Sequence, residues 1–185
     1  MAFTLPPGVG PGTIASIYHA IVGMITGEGG GSGYDAGVSV TRPADTTAYT
    51  AGDVVGAAVA AISFPEMGPA AGHVLITSVS LEIDVASVPA GMTSFRLHLY
   101  SVTPPSALAD NAAWDLPSGD RDSYLGYVDL GTPVDVGATL YVQTDQVNKH
   151  IALAGTGLFG YLVTAGAYTP TSAAVKRITL HSVVI

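Results

Sequence analysis

Between Leu75 and Val85 the chain alternates. Leu75, Thr77, Val79, Leu81, Ile83 and Val85 take the odd positions, and Ser78, Ser80, Glu82 and Asp84 fall between them. Successive strand side chains point to opposite faces, so a period of two predicts a strand with one buried and one wet face. The pattern recurs. Phe95, Leu97 and Leu99 alternate with Arg96, His98 and Tyr100, and Ile178, Leu180 and Val184 alternate with Arg177, Thr179 and His181. Further strands are expected over 38–41, 53–63, 124–130, 138–144, 148–154 and 158–164. Between them stand turn-forming groups: Pro89-Ala90-Gly91, Pro104-Pro105, Pro117-Ser118-Gly119-Asp120, Gly131-Thr132-Pro133 and Asp135-Val136-Gly137. Eight or nine short antiparallel strands at this spacing predict an all-β sandwich, with the jelly roll as leading topology.

The first 37 residues read differently. Pro6, Pro7 and Pro11 lie among glycines, and a glycine-rich run occupies 27–33. Between them Ile14, Ile17, Tyr18, Ile21, Val22 and Ile25 recur at helical spacing, with Thr13 as N-cap and Gly27 past the end. The expected organisation is an N-terminal arm, 1–37, holding a short amphipathic helix at about 13–26 and a flexible linker at 27–33, followed by a β domain over 38–185. Burial of that apolar stripe is about offset by the cost of ordering its backbone, so the helix needs a surface to dock on. Phe3, Leu5 and the six stripe residues are therefore candidate contacts with a neighbouring subunit. An ordinary helix capping the core is the other reading.

Composition limits function. Of 185 residues only 11% are charged, against roughly a quarter in an average soluble domain. Apolar residues make up 48%, yet no apolar run approaches the ~20 residues of a spanning helix. The resolution favoured here is a surface covered by other protein subunits in the working state, although small residues also allow a poorly charged surface to be soluble. Net charge is −8 with six basic residues, which disfavours direct contact with nucleic acid. The absence of cysteine removes disulfides, thiolate chemistry and cysteine–zinc sites. No basic residue precedes Arg42, so the early apolar stretch lacks the charged flank of a secretory signal.

No constellation for catalysis stands out. The glycine run lacks the Lys-Ser/Thr of a phosphate loop, and no Gly-x-Ser-x-Gly elbow occurs. His19, His73, His98, His150 and His181 have no partner at helical metal-ligand spacing. His98 and His181 fall on polar strand faces, where solvated or interfacial side chains are expected, and this parity counts against a cupin-like metal site. Asp110, Asp115, Asp120 and Asp122 could supply oxygens for calcium but lack an EF-hand spacing, and turn-capping is the expected role. No catalytic residue, cofactor or metal ligand is assigned. Trp114, the sole tryptophan, is either a loop anchor or a surface aromatic for stacking on sugars.

Two stretches carry a resemblance. One is Val40-Thr41-Arg42-Pro43-Ala44-Asp45-Thr46-Thr47-Ala48-Tyr49 through Gly52-Asp53-Val54-Val55-Gly56. The other runs from Gly91-Met92-Thr93-Ser94-Phe95-Arg96-Leu97-His98-Leu99-Tyr100 through Ala109-Asp110-Asn111-Ala112-Ala113-Trp114 to Tyr124-Leu125-Gly126-Tyr127. Together they resemble the decoration, or cement, proteins of tailed-bacteriophage capsids. The resemblance covers about 40–185. It implies a non-enzymatic jelly roll that associates as a dimer or trimer and binds across seams between major capsid protein subunits. That places it on the outer surface of a virion assembled in the host cytoplasm, with no membrane partner. The alternative is a carbohydrate-binding sandwich of a phage tail or secreted protein, with Trp114 and tyrosines as the platform.

Overall fold

A computed structural model describes residues 33–185. These form nine strands: β1 (Gly33–Thr41), β2 (Ile62–Phe64), β3 (His73–Ile83), β4 (Phe95–Tyr100), β5 (Tyr124–Gly131), β6 (Val134–Asp135), β7 (Leu140–Ala152), β8 (Leu158–Thr164) and β9 (Val175–Val184). All pairs are antiparallel. One sheet has the order β1-β9-β3-β7-β6 and the other β2-β8-β4-β5. Apart from the hairpins β4–β5 and β6–β7, every connection changes sheet. With the two-residue β6 set aside, this is the strand order of a jelly roll, and the fold class read from the alternation holds.

The inward positions build one core. Phe64, Leu81, Ile83, Phe95, Leu97, Leu99, Leu140, Leu158, Leu162, Ile178 and Leu180 are all buried between the sheets. Each such side chain contributes about 1.5–3 kcal/mol relative to exposure. Lys176 shares this inward parity at the β9 end, beside Ile83, Met92 and Tyr168. Burial pulls its ammonium down to about 8.

Several local expectations are corrected. The alternation over 75–85 is not one register. The pairing slips between Ile76 and Ser78, so Val74 and Ile76 point inward before the slip and Val79, Leu81 and Ile83 after it. Leu75 and Thr77 thereby leave the buried set; the Thr77 hydroxyl donates to the carbonyl of His181 across the bulge. The runs 138–144 and 148–154 are a single strand, β7, bulged at 146–148, where Gln146 (φ 56°) and Asn148 (φ 49°) are left-handed. The run 53–63 is mostly loop. Val54 and Val55 donate their N–H groups to Ala112 and Leu162, two different segments, and only Ile62–Phe64 forms strand.

β1 already begins at Gly33, paired with Val183 of β9. Gly37 is tolerated inside it for a packing reason: an added Cβ would lie 3.3 Å from the Arg177 guanidinium that crosses it. The helix expected at 13–26 lies outside the described residues.

Candidate interaction surface

The two stretches that carry the resemblance meet in space. Their loop portions lie in the connections 42–61 and 101–123, which fold over the outer face of the β2-β8-β4-β5 sheet. Asp53 bridges Ala113, the Val54 and Asn111 amides donate to the carbonyls of Ala112 and Val54 at 2.8 and 2.9 Å, and the Trp114 amide donates to Gly52. Asp110 is the hinge pin of this clasp. Its Oδ1 accepts from the Tyr49 hydroxyl at 2.6 Å and the Gly56 amide at 2.9 Å, and its Oδ2 faces the Arg42 guanidinium at 3.4 Å. Arg42 donates through Nε to Tyr49 and through its other nitrogens to Asp45, and its side chain is fully buried. Burial, reinforced by the Asp110 carboxylate, raises the Tyr49 phenol above its ordinary range. A carboxylate whose oxygens are consumed this way holds two loops together and offers nothing to a substrate.

Beneath the clasp lies a second apolar cluster. Val54, Ala60, Tyr100, Tyr161 and Val163 are buried there, with Leu108, Trp114, Leu116, Tyr124 and Phe159 packed against them. This corrects the expectation for His98. Its strand parity is outward, as the alternation gives, but the loop covers it. It is 4% exposed, with the Trp114 ring centroid 3.8 Å away and the Tyr124 hydroxyl 2.9 Å from Nδ1. Burial, aided by Arg96, pushes its imidazole down to about 4. Trp114 therefore has one face against His98. Tyr127, 5.4 Å from His98 and under the Arg96 guanidinium, is the exposed member of the group.

Asp120 and Asp115 also make structural contacts. Asp120 is buried in a 3₁₀ turn, Ser118–Asp120, where its carboxylate accepts the Ser106 amide and its carbonyl accepts from Ser123. Asp115 accepts the amide of Leu116. Among the described residues no group of three or more histidines and carboxylates converges on a metal-sized site. His181 Nδ1 lies within hydrogen-bond distance of Asp35 Oδ1 across β9–β1, at 2.5 Å.

What the surface does offer is apolar. The connections after β1, β3, β5 and β8 gather at one end of the sandwich, where an added Cβ at Gly91 would strike the Ala167 carbonyl at 2.3 Å. Val88 (41% exposed), Val134 (58%) and Val136 (62%) project from this end. A second feature is the edge strand β1. Its nine residues pair without a register shift to β9, carry a single charge at Asp35, and have no other strand partner among the described residues. Val59, 74% exposed, stands in the apolar groove beside it with Val38, Val40 and Ile62. Sequence reasoning missed both features, because isolated valines in loops and a short strand reading at 38–41 give no signal of exposure. The arm candidates Phe3, Leu5, Ile14, Ile17, Tyr18, Ile21, Val22 and Ile25 lie outside the described residues.

No protein-family model matches the sequence, and no curated protein matches it. Among solved structures, the chain is similar to one in the capsid of Ralstonia phage GP4, with 12% identity over 84% of both chains and a TM-score of 0.39. It is also similar to a chain of the cyanophage Pam1 capsid, with 14% identity over 100% of this chain and 94% of that one, TM-score 0.35. Against a chain of Desmodium yellow mottle tymovirus the identity is 13% over 100% and 88%, TM-score 0.29. The fold assignment rests on the strand order itself.

Proposed function

We propose that this chain is a non-catalytic structural protein of a phage virion, which binds the outside of the capsid and stabilises it by bridging major capsid protein subunits. The observation that carries the reading is the pairing of a charge-poor surface with the exposed valines at the loop end. Apolar groups on a protein with so few charges are best accommodated in a protein–protein interface. The resemblance of 40–185 to decoration proteins supports the same role. In this reading the loop end with Val88, Val134 and Val136 contacts capsid subunits.

The β1 edge pairs with a sister copy. Antiparallel pairing centred on Gly37 sets Asp35 opposite Ser39 and Val38 opposite Ala36, so no like charges meet and the contact closes as a two-fold dimer. The arm, cut at Ser32 so that β1 stays whole, adds a further tether. Bridging several subunits makes release require many contacts to break together.

The test is binding of the full chain to purified capsids, read by co-sedimentation and by capsid heat resistance. The double variant Val134→Asp/Val136→Asp is expected to lose binding while keeping the melting temperature of the free protein. Truncation of 1–32 is expected to reduce occupancy. Intact protein that binds no capsid, or an aspartate variant that binds as well as the parent, overturns the assignment.

A further inference from the structure

His73 opens β3 and His150 lies near the end of β7. The register sets Leu75 opposite His150 and His73 opposite Ala152, so the two imidazoles are diagonal neighbours on one sheet face. Val74 and Ile151, on the other parity, are buried between the sheets. The pair is therefore on the outer face, and both residues are exposed. Nδ1 of His73 and Nε2 of His150 are 3.0 Å apart, with ring centroids 5.1 Å apart and planes inclined at 35°. Leu75 and Val183 flank them on the same face. Lys149 does not compete, because its ammonium reaches the opposite way, to within 3.1 Å of where a Cβ on Gly126 would stand. Of the other titratable groups on this face, His181 and Asp35 contact each other, and Glu82 stands opposite Arg177 and Tyr141 further along the strands.

We propose that His73 and His150 form a two-histidine clamp for a divalent transition metal, with zinc, nickel and copper as the class it accepts. Neutral imidazole nitrogen is a preferred ligand of these ions, whereas magnesium and calcium take oxygen. Two nitrogens each about 2.0–2.1 Å from one ion, at about 90–109°, lie about 2.8–3.4 Å apart. The observed separation is inside that interval, so the two nitrogens are already spaced for chelation, and ring rotation turns lone pairs that face each other in the hydrogen bond onto a shared ion. In the metal-free pair one ring donates an N–H to the other. On chelation that ring takes its other tautomer, and the proton sits on its outward nitrogen. Water completes the coordination. The clamp ties β3 to β7, so bound metal adds stability by mass action. The sequence hid this pair because its members stand 77 positions apart and meet only through the strand register.

Isothermal titration of the chelator-stripped full chain with zinc, nickel or magnesium chloride tests the clamp, with thermal melting as the second readout. Zinc and nickel are expected to bind at one site per chain and raise the melting temperature; magnesium is expected to do neither. His73→Ala and His150→Ala should each weaken binding by at least about tenfold, and His181→Ala should leave it unchanged. His73→Gln and His150→Gln replace any alanine variant whose metal-free melt departs from the parent. Absence of zinc and nickel binding up to about 1 mM, or equal affinity in the parent and both clamp variants, overturns the proposal.

Discussion

Asp110→Ala removes the pin of the clasp and should be among the most damaging single substitutions outside the core. Three groups lose their acceptor at once: the Tyr49 hydroxyl at 2.6 Å, the Gly56 amide at 2.9 Å and the Arg42 guanidinium at 3.4 Å. Breaking a buried ion pair from one side costs about 3–5 kcal/mol, because a charge is left uncompensated. Here Arg42 keeps Asp45, whose side chain is half exposed, so the lower limit of about 3 kcal/mol applies. For a chain of this length that corresponds to a fall in melting temperature of about 6–12 °C. Urea unfolding followed by the fluorescence of Trp114 is the direct assay, because this sole tryptophan is packed on His98 within the same loops. Asp110→Asn retains an oxygen for Tyr49 and Gly56 while discharging the contact with Arg42, and is expected to cost about half as much. A cycle with Tyr49→Phe should show coupling above about 0.5 kcal/mol. If Asp110→Ala costs less than about 1 kcal/mol, or the two sites are additive, the clasp does not hold the loops as described.

Lys176 is held below its unfolded value, so between about 8 and 10.5 the unfolded chain binds more protons and stability rises with pH; Lys176→Met should abolish that rise in pH-dependent melts and stabilise the protein at pH 7 by about 1–3 kcal/mol. His98 is likewise depressed, from 6.5 to about 4, so its contribution is present above 6.5 and is lost as pH falls toward 4. His98→Gln should flatten the decline of melting temperature across that interval, and an unchanged profile would contradict the burial of the imidazole. Gly91 (φ 85°) packs against the Ala167 carbonyl, whereas Gly137 (φ 115°) faces open space. In denaturant titrations Gly137→Ala should cost about 1 kcal/mol of backbone strain, with Gly91→Ala costing well over twice that or preventing folding; equal costs would show that Gly91 does not pack against Ala167.

The sandwich was legible because alternation is a local property. Phe95–Tyr100 and Leu158–Thr164 form strands at the positions the pattern marks. The period failed where the ladder is irregular: nothing in Leu75-Ile76-Thr77-Ser78 reveals that a residue is squeezed out of register, since Leu75 and Thr77 look as suitable for burial as Val74 and Ile76. It failed again at His98, whose outward parity was right and whose exposure was wrong. Parity reports the face of a sheet, and only tertiary structure reports that residues 101–123 cover that face. Asp110 read as one of four scattered loop carboxylates, because its partners Arg42, Tyr49 and Gly56 stand more than fifty positions away. The same distance in sequence concealed His73 from His150.

The scarcity of charge acquires a sharper meaning once burial is known. Arg42, Lys176, Asp53 and Asp120 are buried, and the Asp110 side chain is 5% exposed. These belong to a total of only six basic and fourteen acidic residues. The exterior is thus poorer in charge than composition indicates, because the clasp draws its ions from an already small supply. The exposed valines of the loop end stand on a turn held by its own hydrogen bonds. Val134 and Asp135 pair with Tyr141 and Leu140, Val136 donates its amide to Thr139, and Asp135 accepts the amide of Gly137 at 2.7 Å. Val134 and Val136 therefore stand on a hydrogen-bonded turn, so the docking proposed for this end would forfeit little conformational entropy. A charge-poor exterior and a hydrogen-bonded apolar turn thus occur on the same molecule: several of its few ionic groups are turned inward, while Val134 and Val136 are left outside.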